Sequence, residues 1–142
     1  MNLQEYITQK EYEKCKQIKY IFDKLMENKS GFNEFCIADA YPFGFVVLEW
    51  FYKNAGFDTQ TYFQNASDLF DYLMKVWEFG YIYCLKDKYG DCEMSDKELK
   101  KMLSIEDSEA MEAIRHDLIM QYENIALMDY IDEYEVIRES YI

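Results

Sequence analysis

The chain predicts a mainly α-helical fold, a single domain of several packed helices, with residues 35–63 the one region where a small β-hairpin competes. Three observations carry that expectation. Only one Pro and five Gly interrupt 142 residues, a scarcity of breakers that suits long helices better than a many-turned β architecture. Apolar residues recur at steps of three and four over several long stretches, the spacing of one helical face. Half the residues are hydrophobic and 18% are aromatic, enough apolar volume for one core in a chain of ordinary domain length.

Residues 3–28 read as an amphipathic helix. Cys15, Ile18, Phe22 and Leu25 form its stripe, widened by Ile21 and Met26, while Lys10, Lys14, Lys16, Lys19 and Lys24 lie mostly off it. Asn28 to Gly31 supplies a stop, because Gly tolerates positive φ. Between 32 and 64 the favoured reading is a helix that starts at Tyr41-Pro42, since Pro suits a first helical turn. Phe43 to Tyr52 would be its buried body, and Asn54 to Phe57 its Gly-type cap. Gly44 weakens that reading. Phe45 to Leu48 is also an acceptable buried strand, because apolar runs this short are ambiguous in period. A hairpin over 35–63 is therefore the alternative.

Asn65 or Ser67 can cap the next helix by accepting from the open N–H groups of its first turn. Phe70, Leu73, Trp77 and Tyr81 then share a face, with a bend expected at Gly80. Residues 86–93 read as a polar loop, and Ser95 with Glu98 as a capping box that opens another helix. From about Glu106 the tail reads as helix to its end. Leu127, Ile131, Tyr134 and Ile137 would form the packing face, with Asp129, Asp132, Glu133, Glu135 and Glu139 fanned across the other side.

Charge is unevenly distributed. The net is −13, yet residues 1–30 carry six Lys against five acids, whereas 104–142 carry eleven acids against Arg115 and Arg138. Direct nucleic-acid binding is disfavoured, since neutralising phosphates needs clustered Lys and Arg. A basic partner surface is favoured. No apolar run approaches the roughly 20 residues of a membrane span, and the polar start lacks the apolar segment of a secretory signal, so the expected location is the cytoplasm. There Cys15, Cys36, Cys84 and Cys92, which have no Cys-x-x-Cys spacing, are simply small core or surface residues.

Chemistry-bearing motifs are scarce. His116 is the sole histidine, without a nucleophile elbow to serve it. One His and four scattered Cys do not make an established zinc spacing. Phosphate-binding glycine loops are absent, and with 28 acids any glycosidase-type carboxylate pair is arbitrary. No enzyme and no cofactor is expected. Tyr41, Trp50, Tyr52, Tyr62, Tyr72, Trp77, Tyr81 and Tyr83 lack the interleaved cations of a base-stacking surface. They read as core, with some Tyr as contact anchors.

One segment resembles a known family. In Asp87 to Glu98 the residues Asp87, Asp91, Glu93, Ser95 and Glu98 match positions 1, 5, 7, 9 and 12 of the calcium loop of EF-hand, calmodulin-like proteins. Met94 matches its apolar eighth position, and Leu99, Met102 and Leu103 match the start of the exiting helix. The resemblance implies Ca²⁺ held by those five residues and a regulatory protein that binds a target helix. Tyr89 at position 3 and Cys92 at the turn position depart from the pattern.

The leading functional expectation is a non-enzymatic, acidic inhibitor or sequestering protein. Asp129, Asp132, Glu133, Glu135 and Glu139 would occupy a basic surface of a nuclease, toxin or other nucleic-acid-handling partner, as immunity, anti-defence and nucleic-acid-mimicking proteins do.

Overall fold

The computed structural model describes residues 5–27, 35–49 and 59–128. Helix α1 spans Gln9–Glu27, shorter than the expected 3–28. The reason is local: Thr8 Oγ accepts the Glu11 N–H at 3.2 Å, so the open first turn is capped there. Its buried side is Tyr12, Cys15, Ile18, Ile21 and Phe22, close to the stripe read from the periodicity. The expected stop at 28–31 lies outside the described residues.

The favoured helix over Phe43 to Tyr52 is not what forms. Strands β1 (Phe35–Asp39), β2 (Phe45–Glu49) and β3 (Thr59–Phe63) make an antiparallel sheet in the order β1-β2-β3. The hairpin alternative was right in kind and one strand short. Gly44 decides the outcome. It sits at φ +130°, a conformation foreign to a helix and to L side chains. It closes a turn in which Ala40 N–H donates to Gly44 O and Phe43 N–H to Ala40 O, each at 2.8 Å. Val46 and Val47 then lie between two neighbouring strands, where β-branched side chains pack well. Trp50, Tyr52 and the expected cap at Asn54 to Phe57 lie outside the described residues.

Strand alternation divides the sheet. Phe35, Ile37, Phe45, Val47 and Phe63 join the core, where Phe45 stacks on Tyr12 of α1 and Phe63 lies against Tyr72. On the other face stand Cys36, Ala38, Val46, Leu48, Gln60 and Tyr62, an assignment that follows from the cross-strand register.

Helix α2 (Ala66–Lys88) is capped by Asn65, whose Oδ1 accepts the Asp68 N–H at 2.8 Å. A second donor of its first turn, Ala66 N–H, goes to Glu11 of α1 at 3.0 Å. Leu69, Phe70, Leu73, Trp77, Gly80 and Leu85 are buried, and the helix is continuous through Gly80, where a bend was expected. The helix also continues two residues beyond Lys86, where the loop was expected to begin. Gly90 (φ +110°) ends it, with Gly90 N–H on Asp87 O at 3.1 Å and Asp91 N–H on Lys86 O at 3.0 Å. These are the paired bonds of a Schellman stop. Ser95 Oγ opens α3 (Asp96–Met102) by accepting the Glu98 N–H, and Ser104 opens α4 (Ile105–Leu127) in the same way on Asp107.

Helix α4 packs through a narrow seam. Met111, Leu118 and Ile125 are buried at steps of seven, with Ile114 and Tyr122 half-buried beside them. Tyr122 lies flat on Phe70 of α2, ring centres 4.2 Å apart, and α4 contacts both α1 and α2. Leu127, expected on the packing side, is 85% exposed. Ile125 takes the buried position two residues earlier, and Ile131, Tyr134 and Ile137, the rest of the expected face, lie outside the described residues.

The Gly44 turn gives a direct test. A Cβ there would lie 2.2 Å from the Phe63 carbonyl oxygen, so Gly44→Ala carries both a clash and a disallowed φ. Urea unfolding should show a loss of about 1–3 kcal/mol. An unchanged midpoint would contradict the three-stranded sheet.

Candidate functional site

The five carboxylates singled out in the tail, Asp129, Asp132, Glu133, Glu135 and Glu139, lie outside the described residues. The helix that leads into them is described, and it carries the same character. Turned through about 100° per residue, α4 sets Ile105, Glu106, Glu109, Ala113, His116, Met120, Glu123 and Leu127 opposite its packed seam. All eight are exposed. His116 is thus a surface residue among acids.

Arg115 is the only Lys or Arg of α4, and it is drawn inward. Its guanidinium lies over the Trp77 ring at 5.7 Å, pairs with Glu78 at 3.3 Å and also bonds Glu112. A cation over an indole face is attracted by the ring quadrupole, so Arg115 serves the α2–α4 junction. The Trp77 Nε1 is buried there and has no hydrogen-bond partner among the described residues. The outward side of α4 is left with Glu106, Glu109, Asp117 and Glu123 and no compensating Lys or Arg of its own.

The start of α4 is fixed by a polar clasp that the sequence did not announce. Lys88 Nζ donates to both Asp107 oxygens at 2.8 and 3.0 Å. Tyr89 Oη donates to Asp107 Oδ2 and accepts the Ser104 N–H, each at 2.8 Å. The Lys88 bond, followed by that from Tyr89, holds the Asp107 carboxyl below the usual carboxylate range. The Asp107 bond in turn pushes Lys88 up.

In the calcium-loop resemblance, Asp87, Asp91, Glu93, Ser95 and Glu98 are all exposed. The segment is flanked by two helices, α2 ending one residue after Asp87 and α3 beginning at Asp96. Its positive-φ glycine is Gly90, two residues before the family's turn position at Cys92. Asp91 Oδ1 accepts the Glu93 N–H at 2.9 Å, and Ser95 Oγ caps α3. Met94 and Leu99 are buried and anchor the segment to the core. Among the described residues, no three of His, Cys, Asp and Glu form a group fit to hold a metal ion.

Two grooves border these elements. One of about 420 Å³ runs between α1 and α4, with Ile21, Ala113, Ile114 and Leu118 on its walls and Lys24 and Asp117 at its rim. Another of about 510 Å³ lies between α2 and the α2–α3 loop, lined by Phe79, Ile82, Tyr83 and Met94 among charged residues. Phe79 and Tyr83 are exposed there, whereas Tyr72, Trp77 and Tyr81 pack against the core.

The cysteines are free thiols. Cys15 is buried, Cys84 is exposed, and Cys36 and Cys92 are half-buried. Burial pushes the Cys15 thiol up to about 12, so it stays protonated and inert at neutral pH. Two hydroxyl–carboxylate pairs also escaped sequence reading: Tyr12 Oη on Asp39 at 2.5 Å, and Tyr72 Oη on Glu49, which also accepts Thr59 Oγ1. Burial, reinforced by the facing carboxylate, raises both phenols. They tie α1 and α2 to the sheet. Among the described residues, no helix is long and apolar enough to cross a membrane. Compared with known proteins, the chain matches no family model, no curated protein and no solved structure.

The clasp predicts a pH signature. A depressed carboxyl contributes stability above its unfolded pKa and loses it as pH falls through the folded value. Lys88 works in the opposite sense, its contribution present at neutral pH and lost as pH rises through its elevated value. Asp107→Asn should therefore melt at a lower temperature than the parent near about pH 7, and the gap should close toward about pH 2. A gap that is constant across that range would mean the clasp is not ionic.

Proposed function

We propose that this chain is a non-enzymatic binding protein that presents an acidic face to a basic surface of a partner protein. The observation that supports it best is the division of α4. One narrow seam packs, its only arginine is turned onto Trp77 and Glu78, and the outward side keeps its carboxylates. Asp129, Asp132, Glu133, Glu135 and Glu139 carry the same charge onward in sequence and belong to the proposed contact set.

A run of exposed carboxylates offers Lys and Arg much of what phosphates offer. It speeds encounter and makes affinity depend strongly on salt. The partner class is accordingly a nuclease, toxin or other nucleic-acid-handling protein whose groove evolved for anions, met by an inhibitor of immunity or anti-defence type. Four free thiols suit a reducing compartment, the cytoplasm.

The reading is tested by capture from cell extract at low salt, with the bound protein identified and eluted along a salt gradient. A basic protein should be retained, and Glu106→Lys, Glu109→Lys and Glu123→Lys together should weaken it by at least about tenfold with the circular dichroism unchanged. Retention that ignores both salt and the triple reversal would refute it.

A second reading is favoured by one observation, the helix–loop–helix setting of Asp87 to Glu98 between α2 and α3. Under it the chain is a calmodulin-like regulator. Ca²⁺ should then change the tyrosine and tryptophan fluorescence, and Glu98→Gln should abolish the change. A spectrum indifferent to Ca²⁺ removes this reading.

A further inference from the structure

The outward side of α4 carries a second heptad-spaced series. Ala113, Met120 and Leu127 follow at steps of seven, a spacing that drifts only about 20° per step round a straight helix. They form a stripe across the helix from the packed seam of Met111, Leu118 and Ile125. Met120 is 46% exposed and Leu127 85% exposed. Met and Leu at that repeat give the face apolar area that a second helix can cover.

The residues flanking this stripe restrict the occupant. Glu109 and Glu123 stand on one side of it and Asp117 on the other, while Glu106 continues its line one step of seven before Ala113; all four are exposed. In helix pairs the flanking charges select the partner and its orientation. A second copy of this chain would bring carboxylates against carboxylates on molecules that each carry −13, so self-pairing through this face is opposed. Lysines and arginines flanking an apolar stripe complement it.

We propose that the outward face of α4 is the seat of a basic amphipathic helix of a partner protein. Its apolar stripe lies on Ala113, Met120 and Leu127, and its cations meet Glu106, Glu109, Asp117 and Glu123. The proposal rests on reading α4 as the docking face and narrows the partner from a basic surface to a basic helix. The groove between α1 and α4 opens beside the stripe and shares Ala113 and Asp117 with it. It gives a larger side chain at the edge of the incoming helix an apolar place to enter.

The test uses the full chain and two fluorescent peptides of about three heptads. The first places Leu at the seam positions and Lys at the flanking ones. The second has the same composition in an order that forms no apolar stripe. Anisotropy titrations should show the patterned peptide binding at least about tenfold tighter than the scrambled one. Met120→Ser with Leu127→Ser should erase that preference, and Glu109→Gln with Glu123→Gln should weaken both peptides; far-ultraviolet dichroism checks that each variant is folded. Equal binding of the two peptides, unmoved by the serine pair but reduced by the glutamine pair, would overturn the helix seat and leave the acidic-face reading standing. Binding of neither peptide at low salt would overturn both.

Discussion

The packing of β1, α2 and α4 depends on the buried stripe of α1. Cys15, Ile18 and Phe22 have no exposed surface, and α1 contacts β1, α2 and α4 alike. Phe22 meets Phe70 of α2 at 6.1 Å between ring centres. Removing such side chains from water is the dominant favourable term in folding. Here that term is concentrated where sheet and helices converge. The same helix also satisfies open backbone groups at two helix ends. Glu11 accepts from the first residue of α2 at 3.0 Å, and Lys14 donates to Ala126 O near the end of α4 at 3.2 Å. A carboxylate at an N-terminus and an ammonium at a C-terminus both suit the helix dipole.

This central packing frees the far side of α4. Because α1 and α2 supply the surfaces that Met111, Leu118 and Ile125 require, α4 needs only a narrow seam, and its remaining positions are not constrained by the core. Carboxylates and large apolar residues stand there together. That combination weakens the amphipathic signal and is also what a binding face requires: apolar area for affinity, charge for selection and speed of encounter. The clasp of Lys88, Tyr89 and Asp107 ties the start of α4 to the end of α2.

Helices with a clean stripe were legible from the sequence. The face of α1, the Asn65 cap, the Ser95 cap and the face of Phe70, Leu73 and Trp77 all follow from spacing and capping chemistry. The middle third was not, because Phe45 to Leu48 satisfies both periods and its resolution depends on Gly44 meeting Phe63, a residue far along the chain. Leu127 was not legible as an exposed residue for a related reason. The apolar residues of α4 lie on both sides of the helix, so local periodicity could not say whether Ile125 or Leu127 faces inward; contact with α1 and α2 decides it. Long-range polar pairs such as Tyr12 with Asp39 and Lys88 with Asp107 leave no trace in spacing. The acidity of the last quarter of the chain was visible from composition alone, whereas the inward fate of Arg115 needed the position of Trp77.

The central claim is that α4 has one side that holds the fold and another that does not. Comparing urea unfolding of two variants tests it most directly. Leu118→Ala, in the seam, should cost about 2–5 kcal/mol. The joint change Glu109→Ala, Met120→Ala, Glu123→Ala and Leu127→Ala, on the outward side, should leave stability within about 1 kcal/mol of the parent, as exposed substitutions generally do. A loss on the outward side as large as that in the seam would mean the face is part of the core and is not available to a partner.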